Sequence, residues 1–324
     1  MLNKYSRFTL CIIALLTTLP AWSGNQFNSL YVFGDSLSDT GNLASLSQPF
    51  PLPFFNNRIT NGPNSVDVLA QQLGLSAEAS LHLVGPAIGT NYSVAGARAG
   101  GEDVIDLSAQ ISAFLINQGG TAPQDALYIV FIGGNDIRDA RDKNDIRLSI
   151  RTVINAVKTE RKQIQKLIDA GAKNIMVYNA PDIGRIPDTQ IAAQIANDNR
   201  LARRATNFSR LYNILLKFNL KNLEFKNSIN FIKFNFFDAF SNLLNNPEEM
   251  GFTNATQACF SQITFSFNPE CNFGANFPQF VFFDEIHPTA RAHALLGNAA
   301  TEILLEQLNE NKKKEAVNYD VSTY

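Results

Sequence analysis

The amino-acid sequence predicts an α/β fold with a mostly parallel sheet, and two observations support this prediction. Short apolar stretches rich in β-branched and aromatic residues recur along the chain, for example at residues 29–33 and 126–132. Between them lie longer segments whose apolar positions follow helical spacing, such as 146–170. Strands that alternate with helices in this way form parallel sheets covered by helices on both faces.

The elements are predicted in chain order, without a linker that divides the chain. Strands are expected at residues 29–33, 126–132, 173–178, 229–234 and 280–283, with a further strand at 91–97 that ends in a glycine turn. Helices are expected at 65–73, 106–117, 146–170, 189–220, 236–244 and in the final segment to about 308. We expect one domain over residues 24–310 and a polar, loosely held tail at 311–324.

The first 23 residues have the parts of a secretory signal peptide. Lys4 and Arg7 provide a positive start, and residues 8–19 form an apolar run that is too short to span a bilayer. Small residues then precede a cleavage site after Ser23. We therefore expect an exported, soluble protein rather than a lipid-anchored one, with a buried amino-terminal helix as the alternative.

The composition is that of a globular chain. Apolar residues make up 45% and charged residues 17% of the 324 positions, which suits a sizeable core and argues against disorder. The formal net charge of −2 predicts no general attraction for nucleic acid or for an anionic membrane.

Two cysteines, Cys259 and Cys271, remain after removal of the signal segment. An even number in an exported protein favours a disulfide, which over so short a loop would stabilise the fold by about 3 kcal/mol. Two free thiols are the alternative. A metal site is not expected, because two cysteines without neighbouring histidines are too few ligands.

Residues 29–42 contain the best candidate for a nucleophile. Ser36 follows Gly34 and Asp35 at the carboxyl end of the first strand, the edge at which open α/β sheets place their ligands. Cap-forming residues come after it and predict a helix just beyond Ser36. A serine there would lie near backbone N–H groups with partial positive charge. An ordinary strand-to-helix turn is the alternative.

Only three histidines could serve this serine as a base. His82 has no acid close by in sequence, and His293 lies within the final helix. His287 follows the last strand with Asp284 three residues before it, so the carboxylate can turn back and accept from the histidine Nδ1–H. That bond would fix the tautomer and stabilise the imidazolium that forms when the base takes the serine proton. A helix-capping role for Asp284 is the alternative.

Three groups could donate to the oxyanion of a tetrahedral intermediate, each worth about 3–4 kcal/mol of barrier. They are the backbone N–H groups of Ser36 and Gly96 and the side-chain amide of Asn135. Gly133 and Gly134 permit a sharp turn that points this amide inward. The loop at Gly96 or the loop at Asn135 could, taken alone, be an ordinary connection. However, the serine, the glycine, the asparagine and the Asp-His pair each follow a predicted strand, and this joint pattern favours a catalytic set.

These stretches resemble the signature blocks of the GDSL family of lipases and esterases, also called SGNH hydrolases. Gly34-Asp35-Ser36-Leu37 resembles the block with the nucleophile, and residues 91–97 resemble the block with the glycine donor. Residues 133–136 resemble the asparagine block, and residues 284–289 resemble the block with the acid and the base. The resemblance covers about residues 29–309, with the blocks in the family's order.

The resemblance implies a three-layer α/β/α fold with a central, mostly parallel sheet of about five strands. It implies a triad of Ser36, Asp284 and His287 and an oxyanion hole of Ser36, Gly96 and Asn135. The extended nucleophile block, the export signal and the length are most similar to secreted bacterial phospholipases A and lysophospholipases A, including relatives that transfer acyl chains to sterols. No metal and no organic cofactor are expected, because an acyl-enzyme route uses side chains alone.

The expected partners are a phospholipid or lysophospholipid substrate, a sterol as a candidate acyl acceptor and a transiently contacted membrane surface. Six phenylalanines crowd the segment before the acid, either as a wall or lid for an acyl chain or as core beneath the cysteine loop: Phe260, Phe265, Phe267, Phe273, Phe277 and Phe280. A short-chain or carbohydrate ester is the alternative substrate. A non-catalytic secreted binding protein is the remote alternative for the whole chain.

Overall fold

The computed structural model describes residues 26–227 and 229–321, so the predicted signal peptide at 1–23 lies outside the described residues. Four parallel strands form the central sheet in chain order: β1 (Ser29–Gly34), β2 (Ala126–Phe131), β3 (Asn174–Tyr178) and β4 (Asn230–Phe234). Most of their side chains are buried on both faces, which is typical of a parallel sheet covered by helices. The predicted parallel α/β fold is confirmed.

Helices lie on both faces of this sheet. The helices of the described chain are α1 (Ser65–Gln72), α2 (Leu107–Asn117), α3 (Gly134–Arg141), α4 (Ile146–Asp169), α5 (Pro187–Ile195), α6 (Leu201–Lys226), α7 (Phe236–Asn245) and α8 (Ala290–Val321). Helices α2, α4 and α6 pack together on one face of the sheet, and α8 covers the other face beside α1 and α7. The three layers enclose one large apolar core.

Residues 91–97 do not form the expected strand. Asn91 alone bridges in parallel to Val32 of β1, so the central sheet has four strands and one bridging residue where about five strands were expected. The side-chain amide of Asn42 donates to the carbonyl oxygens of Asn91 and Ser93, each at 2.8 Å. The segment still lies along β1, because the N–H groups of Tyr92 and Val94 donate to the carbonyl oxygens of Val32 and Gly34 at 2.7 and 3.1 Å. The Asn42 amide bonds carbonyl oxygens that β1 does not use.

The last predicted strand lies outside the central sheet. It belongs to an outer group of strands: β5 (Asn254–Ala258), β6 (Phe260–Ser261), β7 (Ser266–Phe267) and β8 (Phe280–Phe282). Strand β8 pairs with β5, and β6 pairs with β7 in a short hairpin. We name residues 259–271 the cysteine hairpin, because Cys259 and Cys271 lie at its ends with Cα atoms 5.3 Å apart, a separation that suits a disulfide.

The crowded phenylalanines are only partly core. Phe260, Phe277 and Phe280 are buried in a second apolar cluster together with both cysteines. Phe265 and Phe273 are 60% and 88% exposed. The core interpretation therefore holds for the buried members, and none of the six lines the cleft at the predicted nucleophile.

Three helices differ from the prediction. The expected helix at 189–220 is divided into α5 and α6, because the chain turns between them at Asn197, whose φ of 48° is left-handed. Helix α3 is not predicted, because its eight residues are mostly polar. Helix α8 continues past residue 308 through helix-favouring Glu, Lys and Ala residues, so the tail expected at 311–324 is helical as far as Val321.

A buried acid lies between α4 and α6. Glu160 is fully buried, and the hydroxyl of Tyr212 donates to its Oε2 at 2.5 Å. Its Oε1 has no hydrogen-bond partner among the described residues. Burial raises the pKa of Glu160 to about 8, because the charged form would lose its hydration. The acid is therefore mostly protonated at neutral pH.

The first prediction concerns the pH dependence of stability. The unfolded chain releases the Glu160 proton near the ordinary pKa of 4.5 and the folded protein near 8, so stability is full below pH 4.5 and falls as the pH rises towards 8. Glu160→Gln should remove this loss, with a slope of at most about 1.4 kcal/mol per pH unit. Thermal unfolding between pH 5 and pH 8 tests it.

The exposed Glu302 of α8 provides the control for this experiment. Glu302→Gln should leave the curve of melting temperature against pH parallel to that of the parent protein. The melting temperature of Glu160→Gln should exceed that of the parent protein by an amount that grows with pH. A constant difference across the range would contradict a buried, protonated Glu160.

Candidate active site

Ser36 lies just beyond the end of β1, where the backbone is tightly held. A side chain at position 34 would come within 2.3 Å of the carbonyl oxygen of Phe131 on β2, so only glycine fits there. The buried side chain of Gln110 on α2 bonds both backbone groups of Gly34, accepting from the N–H at 2.9 Å and donating to the carbonyl oxygen at 2.8 Å. These contacts fix the strand end from which Ser36 projects.

A single turn replaces the helix expected after Ser36. The N–H groups of Ser38 and Asp39 donate to the carbonyl oxygen of Asp35 at 3.1 and 2.9 Å, and the N–H of Leu37 donates to its carboxylate at 3.0 Å. Among the described residues the N–H of Ser36 has no acceptor. It is therefore free to donate to a substrate oxygen.

The three predicted triad residues meet in one hydrogen-bonded chain. The Nε2 of His287 lies 2.7 Å from the Oγ of Ser36, and its Nδ1 lies 2.8 Å from both carboxylate oxygens of Asp284. The backbone N–H groups of Ile286 and His287 donate to the same carboxylate at 2.8 and 2.7 Å. The carboxylate is thereby oriented towards Nδ1, and Nε2 is placed to take the serine proton.

The structure excludes the other two histidines from this role. His82 lies beside Ser80, with Nδ1 2.7 Å from its hydroxyl, and burial lowers the pKa of His82 to about 4. His293 is fully buried in α8, where its Nδ1 accepts from the N–H of Ser65 at 3.2 Å, and burial lowers its pKa to about 3. Both rings are neutral at physiological pH and occupied by local partners.

Two loops bring the remaining oxyanion donors to the same region. Gly96 has a φ of +87°, a left-handed conformation that favours glycine. The side-chain amide of Asn135, in the first turn of α3, donates to the carbonyl oxygen of Ala97 at 2.9 Å and retains a second N–H. Asn135 and Ser36 line one cleft, and Gly96 lies in the adjoining loop.

Two buried aspartates, Asp39 and Asp136, hold these loops, and in the sequence they stand out only as parts of motifs. Asp39 accepts from the N–H groups of Gly41 and Asn42 at 2.7 Å each and from Ala95 at 2.8 Å. Asp136 accepts hydrogen bonds from the N–H groups of residues 99 and 100 at 2.8 and 2.9 Å. Burial raises the pKa of both acids, that of Asp136 to about 6.

The cleft at Ser36 is largely apolar and holds about 410 Å³ of empty space, open solvent included. Its apolar walls are Leu37, Pro181, Ile183, Ile186, Phe236, Phe240, Ile286 and Pro288. Arg138 also lines it and pairs with Asp188 through two contacts of 3.1 and 3.2 Å. Burial raises the pKa of Asp35, a further lining residue, to about 7. The cleft thus combines apolar walls with one cation.

The cysteine hairpin contacts the acid of the triad, which no sequence pattern predicted. The side-chain amide of Gln262 donates to the carboxylate of Asp284. The hydroxyl of Ser261 donates to Glu285 at 2.5 Å, and the backbone N–H of Gln262 donates to the same side chain at 3.1 Å. The hairpin is therefore attached to two successive acids of the catalytic loop.

Neither a metal cluster nor a membrane-spanning helix is found in the described part of the chain. Among residues 26–227 and 229–321 no group of three or more His, Cys, Asp or Glu side chains could hold a metal ion. Within the same ranges no helix combines the length and the apolar character needed to cross a bilayer.

The second prediction tests the oxyanion donors. Asn135→Ala should lower kcat for ester hydrolysis about 10²–10³-fold, because the lost N–H would have met the oxyanion of the transition state. KM should change little, since a ground-state carbonyl gains less from the same donor. Steady-state kinetics on a soluble nitrophenyl ester measures both. Asn144→Ala, in an exposed loop, should leave both unchanged, and equal effects of the two variants would contradict the assignment.

The third prediction tests the positioning of the acid by Gln262. Gln262→Glu keeps the shape of the side chain but replaces the amide donor with a second carboxylate beside Asp284. Because the two negative charges repel, kcat should fall on the order of tenfold or more while KM stays the same. Gln279→Glu, an exposed site near the same acid in sequence, is the matched control. The downfield NMR signal of the His287 Nδ1 proton should shift in Gln262→Glu only. An unchanged signal together with unchanged kcat would assign Gln262 no part in orienting the acid.

Comparison with known proteins agrees with this geometry. The family model of GDSL-like lipases and acylhydrolases matches residues 30–300. A GDSL esterase/lipase of Arabidopsis thaliana is 26% identical over an alignment of 341 positions. The alignment covers 89% of this chain and 90% of the relative. The phosphatidylcholine-sterol acyltransferase of Aeromonas hydrophila is 23% identical, with 93% and 98% covered, and the thermolabile hemolysin of Vibrio parahaemolyticus is 26% identical, with 87% and 65% covered. The chain belongs to the GDSL-like lipase/acylhydrolase family.

Proposed function

We propose that this protein is an exported serine hydrolase that releases fatty acids from phospholipids and lysophospholipids through an acyl-enzyme. Family membership establishes an esterase or lipase of the GDSL type. The observation that carries the proposal is the hydrogen-bonded chain from Asp284 through His287 to Ser36, which ends at the floor of an apolar cleft. Export and a Cys259–Cys271 disulfide are parts of the same proposal.

The first half of the reaction acylates Ser36. Its Oγ attacks the ester carbonyl while the Nε2 of His287 takes the hydroxyl proton, and Asp284 stabilises the resulting imidazolium. The oxyanion accepts from the N–H of Ser36, the N–H of Gly96 and the amide of Asn135. The C–O bond to the leaving alcohol then breaks, and His287 returns its proton to that alcohol.

The second half regenerates the enzyme. A water molecule gives a proton to the Nε2 of His287 and attacks the acyl carbonyl, and a second tetrahedral intermediate forms in the same oxyanion hole. The bond to the Ser36 Oγ breaks, the serine recovers its proton from His287 and the fatty acid leaves. A sterol hydroxyl that replaces the water would yield a sterol ester, and this is the acyltransferase side activity that we include in the proposal.

The lining of the cleft supports a lipid substrate. Apolar side chains such as Ile186, Phe236 and Phe240 would remove an acyl chain from water at about 25 cal/mol for each Å² buried. Arg138 places a cation in the same wall, where a lipid phosphate would find a charged donor. The relative whose name includes phosphatidylcholine supports the same substrate class.

The fourth prediction is the substrate preference. The mature protein, residues 24–324, should release fatty acid from lysophosphatidylcholine and diacyl phosphatidylcholine faster than it hydrolyses a short-chain nitrophenyl ester. Ser36→Ala should abolish all three activities, because no other group can form the acyl-enzyme. Titration of the released fatty acid, beside absorbance for the nitrophenyl ester, measures the three rates.

Each other outcome selects a different function. Activity on the short ester alone would make the protein a general esterase, and activity on acetylated sugars alone would make it a carbohydrate esterase. A fluorophosphonate probe should label Ser36. Absence of labelling in the folded protein would indicate a secreted binding protein without catalysis.

A further inference from the structure

The charges of this chain are distributed unevenly. Helices α4 and α6 together carry twelve of the 27 lysines and arginines but only three of the 29 acidic residues. One of those three acids, Glu160, is buried and mostly protonated at neutral pH. The formal net charge of −2 therefore conceals a strongly cationic helical layer, which an expectation based on net charge alone does not describe.

The cations of this layer are exposed on the outer sides of the two packed helices. The α4–α6 face comprises eight exposed basic residues and five exposed apolar ones: Arg147, Arg151, Lys158, Lys162, Arg203, Arg210, Lys217, Lys221, Leu148, Ile150, Ile214, Phe218 and Phe225. None of the eight basic residues forms an ion pair with another described residue. Their charges are thus available to a partner.

Apolar side chains alternate with these cations along α6. Positions 210, 214, 217, 221 and 225 follow each other at intervals of three or four residues, which places them on one side of the helix. Ile214 and Phe218 are each 66% exposed, and Phe225 is 91% exposed. Basic side chains beside exposed apolar ones suit an anionic lipid surface, because the cations meet the headgroups while the apolar side chains enter the layer.

The α4–α6 face adjoins the catalytic cleft. A groove between α6, α7 and the ends of β3 and β4 is lined by Arg210, Ile214 and Lys217 of the face and by Phe237. The preceding residue, Phe236, lines the cleft at Ser36. Phe236 and Phe237 are successive residues at the start of α7, so a lipid layer held against α6 would lie near the catalytic cleft.

We propose that the α4–α6 face docks the protein on an anionic phospholipid surface. The basic side chains meet the lipid phosphates, and Ile214, Phe218 and Phe225 enter the headgroup layer. The apolar members favour a lipid layer over double-stranded nucleic acid, because a duplex phosphate backbone would leave them in water. This inference goes beyond the proposed function, since docking does not require catalysis and applies to the inactive Ser36→Ala protein.

Flotation with lipid vesicles tests the proposal. The full mature chain with Ser36→Ala is mixed with phosphatidylcholine vesicles that contain or lack phosphatidylglycerol. It should float with the anionic vesicles, and bound protein should decrease at high salt, because the attraction is screened. The triple variant Arg210→Gln, Lys217→Gln, Lys221→Gln should bind on the order of 100-fold more weakly.

Two matched controls separate charge from shape. Arg210→Lys, Lys217→Arg, Lys221→Arg conserves the charges and should bind like the parent. Phe218→Ser with Phe225→Ser should weaken binding at every salt concentration, whereas Ile88→Ser with Val104→Ser, at sites 80% and 72% exposed elsewhere, should not. When Ser36 is intact, both triple variants and both serine double variants should still hydrolyse a soluble short ester.

Two results would overturn the proposal. Equal binding of the parent and the Gln triple variant to anionic vesicles would assign docking to another surface. Binding to single-stranded RNA that exceeds vesicle binding would identify a polyanion as the partner. A loss of esterase activity in the intact enzyme affects neither result, so failure of the proposed function is distinguishable from failure of the docking proposal.

Discussion

Buried carboxylates hold together the loops at the carboxyl ends of the central strands, where the candidate active site lies. They do so by accepting hydrogen bonds from backbone N–H groups. The loops beyond the strand ends have no ladder partners, and a buried N–H without an acceptor is costly. Asp39, Asp136 and Asp284 provide these acceptors for the nucleophile loop, the glycine loop and the catalytic loop. Each acid thus satisfies backbone N–H groups that the backbone bonds of these loops leave without an acceptor.

This construction has an electrostatic consequence. A carboxylate that leaves water is penalised in its charged form, and for Asp39 and Asp136 the penalty of burial exceeds the gain from the N–H groups, so that their pKa values rise. Asp284 differs in its partners, because it bonds the imidazole of His287 and the amide of Gln262 in addition to two backbone groups. Of these three acids, Asp284 is the one that bonds the imidazole expected to become charged during the reaction.

Acidic and basic residues also divide the molecule spatially. Asp39, Asp136 and Asp284 organise loops beyond the strand ends, whereas twelve of the 27 basic residues lie on α4 and α6, on one face of the sheet. A net charge close to zero is therefore a poor guide to what the surface attracts. On a protein that would take its substrate from a lipid layer, this separation orients one side towards anionic headgroups.

The cysteine hairpin illustrates how packing decides between interpretations that composition leaves open. Its phenylalanines could form a lid or a core, and the structure buries Phe260 and leaves Phe265 exposed. The polar residues between them, Ser261 and Gln262, attract no notice in the sequence, although they bond the two acids of the catalytic loop. The hairpin consequently supports the acid from outside the central sheet.

The sequence by itself determined the parallel α/β fold, most element positions and the identity of Ser36, Asp284, His287, Gly96 and Asn135 as candidates, because apolar periodicity and short motifs are local properties. It could not determine the partners of Gln110, Gln262 or Asp136, since each bonds a residue more than twenty positions away. It also predicted a helix after Ser36, where the buried Asp39 binds the backbone instead, and a strand at 91–97, where Asn91 alone forms a bridge to β1. Those contacts exist only after distant loops pack together, and that is why the tertiary structure alone decided them.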